Sequence, residues 1–228
     1  MHPLGDVALS DRFAEALRLA FELHRSQRRK VSGEPYLSHL LGVCAIVLAY
    51  GGDEDAAIAA LLHDAAEDQG GQATLAEIGR RFGEAVAATV EGCSDTLETP
   101  KPPWRQRKEA HLNRMATASA DVLLVMAADK LDNARALRRE LVRRGESVWA
   151  FFRGGHEGTL WYYRAMVTAL QAALDRAPRG EQPSGTGDDP SAPDQKELPA
   201  AQRHRLLGEL VAELDRAVAE LEGHGAAS

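Results

Sequence analysis

Residues 59–68 read AALLHDAAED, a run of good helix formers that carries His63, Asp64, Glu67 and Asp68. On one continuous helix, turning about 100° per residue, these four side chains share an arc of about 140°. Small Ala60 lies between them, and Leu62, Ala65 and Ala66 take the opposite side. Asp64 then faces Glu67 at i,i+3 and Asp68 at i,i+4, and each like-charge pair at such spacing costs about 0.2–0.5 kcal/mol. A face that is merely wet accepts that cost. So does a face that holds a cation.

Working outward, helical periodicity dominates. Phe13, Leu17, Ala20, Phe21 and His24 form one stripe behind a Ser10-Asp11 N-cap. LSHLLGVCAIVLAYGG is an apolar helix stopped by Gly51-Gly52, and Asp53 caps the helix that runs into residues 59–68. Thr74 and Glu77 have capping-box spacing at the start of TLAEIGRRFG. Pro100, Pro102 and Pro103 form a break before two further helices, the second ending at Gly145. A helix from near His156 to Arg176 aligns Leu160, Tyr163, Val167, Leu170 and Leu174 on one face. No segment shows the period-2 alternation of a strand, so the expected fold is all-α.

Composition changes between residues 178 and 199, where PRGEQPSGTGDDPSAPDQKELP has almost nothing to bury and reads as a flexible linker. Beyond it Leu207, Val211, Leu214, Val218 and Leu221 make a heptad-like stripe. The expected organisation is a domain over 8–177, a linker over 178–199 and an amphipathic helix over 200–223. That helix cannot bury its stripe alone. It either docks back on the domain or pairs with a second copy, which would make a homo-oligomer.

The 228 residues are 44% hydrophobic and 27% charged, an ordinary globular mixture. Their net charge of −7 argues against wholesale binding to nucleic acid or an anionic membrane. The arginines of RALRRELVRRG spread around their helix, as on a solvated face. No apolar run approaches the roughly 18 residues of a membrane span, and MHPLGDVALSDRF contains no charged-then-apolar signal segment. The two cysteines, Cys44 and Cys93, each stand alone in a helix, which suits a reducing compartment. A cytoplasmic location is expected.

His39 begins the apolar helix upstream, and Asp129 follows LLVMAA in an apolar helix downstream. Acids are almost never fully buried unless paired or metal-bound, so Asp129 needs a cation, either Lys130 or Arg135 nearby or a metal. Two imidazoles and two carboxylates would make a mixed N/O ligand set suited to Mn²⁺, Fe²⁺ or Zn²⁺.

The order His39 … His63-Asp64 … Asp129 resembles the HD-domain metal-dependent phosphohydrolases. More closely, the chain is similar to the hydrolase domain of the RelA/SpoT alarmone enzymes and to stand-alone small alarmone hydrolases. The matching pieces are RRKVSGEPYLSH (Arg28–His39), AALLHDAAED, FGEAVAATVEGCS (Phe82–Ser94), RKEAHL (Arg107–Leu112) and AADKLDNAR (Ala127–Arg135). The resemblance implies an HD-type helical bundle in which His39, His63, Asp64 and Asp129 hold one Mn²⁺. It implies that Glu67 and Asp68 orient or deprotonate the attacking water and handle the leaving group. It also implies that Arg29 stacks on the nucleotide base, Lys30 reaches phosphate, Asn133 hydrogen-bonds the nucleotide and Tyr36 shapes the pocket.

The implied reaction is removal of the 3′-diphosphate of guanosine tetra- or pentaphosphate, which lowers the stringent-response signal. Gln69 and Ala136 stand where the family commonly has threonine, so base and ribose preference stay open. Nothing past Asp175 resembles a synthetase or regulatory domain, and the chain reads as a hydrolase only. The alternatives are a phosphohydrolase acting on an adenosine alarmone or on NADPH, or a non-catalytic module that binds a nucleotide or a partner protein.

Overall fold

The computed structural model describes residues 7–176 and 198–225. Most of the expected linker, 178–199, lies outside the described residues. Its last two positions are described: Leu198 is buried, and the Pro199 carbonyl accepts from the amides of Gln202 and Arg203. Among the described residues there are helices and no strands.

The helices run α1 (Asp11–His24), α2 (Leu37–Ala49), α3 (Glu54–Leu62), α4 (Ala65–Asp68), α5 (Gln72–Phe82), α6 (Glu84–Cys93), α7 (Trp104–Arg114), α8 (Ala120–Arg144), α9 (Gly155–Arg176) and α10 (Ala200–Gly225). At the centre stands α3. Asp53 caps it by accepting from the Ala56 amide, and every residue from Ala56 to Leu62 is 0–1% exposed. Its alanines offer little bulk, so α1, α2 and α6 close around it and α8 packs against both α2 and α3. Gly51, at φ +82°, ends α2 in a conformation that other residues rarely adopt.

The stripe of α10 docks in cis. Leu206, Leu207, Leu210, Val211, Leu214, Val218 and Leu221 are buried, and the helix packs on α8 and α9. Its acids meet arginines of those helices: Glu213 pairs with Arg135, Glu220 with Arg138, and Asp215 and Glu222 with Arg164. Arg135 and Arg138, read from sequence as part of a solvated face, therefore flank an intramolecular contact.

Three local expectations are corrected. Residues 59–68 do not form one continuous helix: α3 ends at Leu62, His63 and Asp64 make a turn, and α4 restarts at Ala65. Asp64 sits at φ −96°, ψ −3°, in the sparsely populated bridge region, and the shared arc is broken there. The capping box is not formed, because Gly70 and Gly71 turn with positive φ and let α5 begin at Gln72. Thr74 instead donates to the Gln69 carbonyl. Finally, Phe21 is 52% exposed, since α1 meets its neighbours through Ala16, Leu19 and Ala20.

Candidate functional site

His39 lies in the first turn of α2, His63 and Asp64 in the turn after α3, and Asp129 midway along α8. The packing of α2, α3 and α8 brings them together. His39 Nε2 lies 3.2 Å from Asp129 Oδ1 and 3.8 Å from Asp64 Oδ2. His63 Nε2 lies 3.0 Å from Asp64 Oδ2 and 3.8 Å from Asp129 Oδ1. His39, His63 and Asp129 each offer a ligand atom within 4.8 Å of the others, an arrangement able to hold a metal ion.

The donor set fits a cation on physical grounds. The Ala60 carbonyl, 2.8 Å from His63 Nδ1, can only accept, so Nδ1 carries a hydrogen. His63 Nε2, wholly buried, makes no hydrogen bond of its own although two carboxylates face it. A neutral imidazole would turn its lone pair toward those oxygens, and such an arrangement needs positive charge between them. Burial lowers the affinity of His63 for a proton, but Asp64 and Asp129 outweigh it and push its pKa up to about 9. Asp64 and Asp129 move the opposite way, well below the usual carboxylate range: burial opposes ionisation, and the imidazoles, with Lys130 beside Asp129, overcome it. The pocket attracts cations.

Of the other residues expected at the site, Tyr36 and Asn133 reach this centre by hydrogen bonds. Tyr36 donates to Asp64 Oδ2. Arg29 sits in a tight loop in which its amide donates to the Glu34 carbonyl and its own carbonyl accepts from the Gly33 amide. Its guanidinium donates to Asp132 Oδ2 at 3.2 Å and to Asn133 Oδ1 at 2.8 Å. Asn133 in turn donates to Asp129 Oδ1. Lys30 is exposed. Glu67 accepts from the Asp95 amide at 2.9 Å and from Lys101 Nζ at 3.0 Å, while Asp68 accepts from Gln27 Nε2 at 2.7 Å. Partial burial and the charge of Asp64 raise the Asp68 pKa, a direction that favours proton exchange.

Further neighbours complete the surroundings. Lys130 Nζ pairs with Asp129 Oδ2 at 2.6 Å, so the simple ion pair weighed from sequence exists beside the metal-ready face of the same carboxylate. Gln27 links His24 to Asp68. Asp95, held by Arg107 and by Lys108 Nζ at 3.1 Å, anchors the segment whose amide steadies Glu67. Asp132 accepts from His39 Nδ1 at 2.7 Å. The detectable signal for Asp132 was its i,i+3 offset from Asp129 on the same helix.

A family model of the HD domain matches residues 16–160. The chain belongs to the HD-domain family. Among curated relatives, this HD-domain chain is 41% identical over 128 residues to the guanosine-3′,5′-bis(diphosphate) 3′-pyrophosphohydrolase MESH1 of Xenopus tropicalis, covering 55% of this chain and 69% of that one. It is 34% identical over 154 residues to the guanosine-3′,5′-bis(diphosphate) 3′-pyrophosphohydrolase of Aquifex aeolicus, covering 60% of this chain and 21% of that protein. It is 36% identical over 152 residues to the bifunctional (p)ppGpp synthase/hydrolase SpoT of Escherichia coli, again spanning 21% of the relative. The fold matches a solved structure of a metazoan orthologue of SpoT, described as hydrolysing ppGpp and playing a role in starvation responses. The TM-score is 0.63 at 23% identity, over 91% of this chain and 97% of that one. Among the described residues, no helix is long and apolar enough to cross a membrane.

Proposed function

We propose that this HD-domain chain hydrolyses the 3′-diphosphate of guanosine-3′,5′-bis(diphosphate), or of the corresponding pentaphosphate, to GDP or GTP and pyrophosphate. The observation that carries the reading is the convergence of two imidazoles and two carboxylates around His63 Nε2. The 41% identity to a relative named for this reaction supports the choice of substrate. His39, His63, Asp64 and Asp129 are the proposed metal ligands, and their mixed nitrogen and oxygen character suits Mn²⁺. When bound, such an ion neutralises phosphate oxygens and makes water easier to deprotonate.

The chain's own residues do the rest. Water adds to the phosphorus that carries the ribose 3′ oxygen, the bond from phosphorus to that oxygen breaks, and pyrophosphate leaves. Glu67 and Asp68 are the pair that orients the water, takes its proton and returns one to the 3′ oxygen. Their separate anchors, Asp95 with Lys101 for Glu67 and Gln27 for Asp68, hold the two carboxylates apart. General acid–base help of this kind contributes typically about 10²–10⁴-fold. Arg29 keeps its planar face for a base while Asp132 and Asn133 hold its edge. Asn133 and Tyr36 border the nucleotide, and exposed Lys30 supplies a mobile ammonium for phosphate.

The test is incubation of the purified protein with Mn²⁺ and a nucleotide panel, beside an EDTA control, with products separated by ion exchange. The panel holds guanosine and adenosine 3′-diphosphates, NADPH and plain nucleoside triphosphates. Pyrophosphate released from the guanosine 3′-diphosphates and abolished by EDTA is the expected result. Phosphate released from NADPH alone would move the substrate, and no turnover by Mn²⁺-loaded protein would overturn the enzymatic reading.

A further inference from the structure

One carboxylate joins the metal-ligand set to the substrate side of the site. Asp132 Oδ2 accepts from His39 Nδ1 at 2.7 Å and, at 3.2 Å, from the Arg29 guanidinium. The side chain crosses from α8 to α2 where α2 has no side chain in the way. A Cβ placed on Gly42 would lie 2.5 Å from Asp132 Oδ1. Three groups from two elements therefore meet on this side chain: the imidazole of α2, the glycine one turn after it on the same helix, and the arginine of the loop before α2.

We propose that Asp132 is a positioning residue that presents His39 to the metal and Arg29 to the nucleotide. The inference rests on the metal-dependent reading above. Its chemistry lies in the tautomer. A carboxylate accepting from Nδ1 fixes the hydrogen on that nitrogen, so Nε2 carries the lone pair, and Nε2 is the nitrogen that faces Asp64 and Asp129. The same negative charge makes the imidazole a stronger donor to a cation. With its other edge held by Asn133, the guanidinium of Arg29 shares this anchor. A disturbance at either end of Asp132 thus reaches both the ion and the nucleotide.

Two variants test this. Asp132→Leu removes the acceptor while keeping the number and branching of the side-chain heavy atoms. Gly42→Ala keeps Asp132 but forces its carboxylate out of the position beside His39. Calorimetric titration of metal-free protein with Mn²⁺ should show the ion bound about 10–100-fold more weakly by Asp132→Leu, with a weakening in the same direction for Gly42→Ala. Nitrogen-15 NMR of the imidazoles should show the hydrogen-bonded Nδ1–H of His39 lost in Asp132→Leu, while that of His63, held by Ala60, persists as an internal control. Wild-type affinity in Asp132→Leu would overturn the proposal while leaving the metal site intact. Should that variant fail to fold, wild-type affinity and an unchanged His39 signal in Gly42→Ala would overturn it equally. A wild-type protein that binds no divalent ion would instead overturn the underlying metal reading.

Discussion

The phenol of Tyr36 donates a 2.5 Å hydrogen bond to Asp64 Oδ2, the same oxygen that faces His39 and His63. It fixes one of two carboxylates in a pocket that gathers positive charge. Hydrogen bonds to charged groups contribute about 1.5–3 kcal/mol. Tyr36→Phe should therefore keep wild-type helicity by circular dichroism and lower kcat/KM by about 10-fold or more. Wild-type kcat/KM in this variant would remove Tyr36 from the site.

Metal binding should depend on pH with a definite sign. Without metal, His63 has its pKa raised to about 9, so at pH 7 it holds a proton that a coordinating imidazole cannot keep. Mn²⁺ affinity should then climb as pH rises from 6 toward 9. Titrations in buffers of different ionisation enthalpy should show net proton release at pH 7. An affinity that is flat across this range would contradict the charge arrangement around His63.

Asp129 is paired at 2.6 Å with Lys130, whose side chain is 14% exposed. Removing one partner of a buried pair costs about 3–5 kcal/mol. Asp129→Ala should lower urea-unfolding stability by that order, while Asp64→Ala should abolish turnover with helical circular dichroism retained. A loss below about 0.5 kcal/mol in Asp129→Ala would show that Lys130 finds another partner easily.

Docking of α10 has a measurable strength. Leu210 and Leu214 are 0% exposed between α10 and its neighbours, and truncating a fully buried leucine to alanine costs about 2–5 kcal/mol. Leu214→Ala should lose stability in that range by urea unfolding. A loss below about 0.5 kcal/mol, the size of an ordinary surface change, would mean that α10 is not held on α8 and α9 in solution.

That His39, His63, Asp64 and Asp129 would come together was legible in the sequence because some of them break a local rule. Asp129 follows two apolar turns, and His39 opens an apolar helix. The turn at His63-Asp64 was not legible, since periodicity treats a run of helix formers as straight and carries no sign of a single bridge-region residue. Asp132 escaped for a related reason: an acid on a charged stretch of α8 looks solvated until α2 is laid across it, with Gly42 leaving the gap. The leucine stripe of α10 announced that something would cover it. Whether that cover came from its own chain depended on Arg135, Arg138 and Arg164, whose acidic partners lie 51 or more positions away.

The alanine-walled centre of the bundle has a mechanical consequence. Ala56, Ala57, Ala59 and Ala60 have no side-chain rotamers to exchange, and each is 0–1% exposed. Thermal agitation along that wall of alanines can displace only backbone, against the helices packed around α3. The backbone that carries His63 is therefore buffered against side-chain motion in this wall, whereas exposed Lys30 at the rim is free to yield. Warming should release Lys30 well before it disturbs the backbone that carries His63.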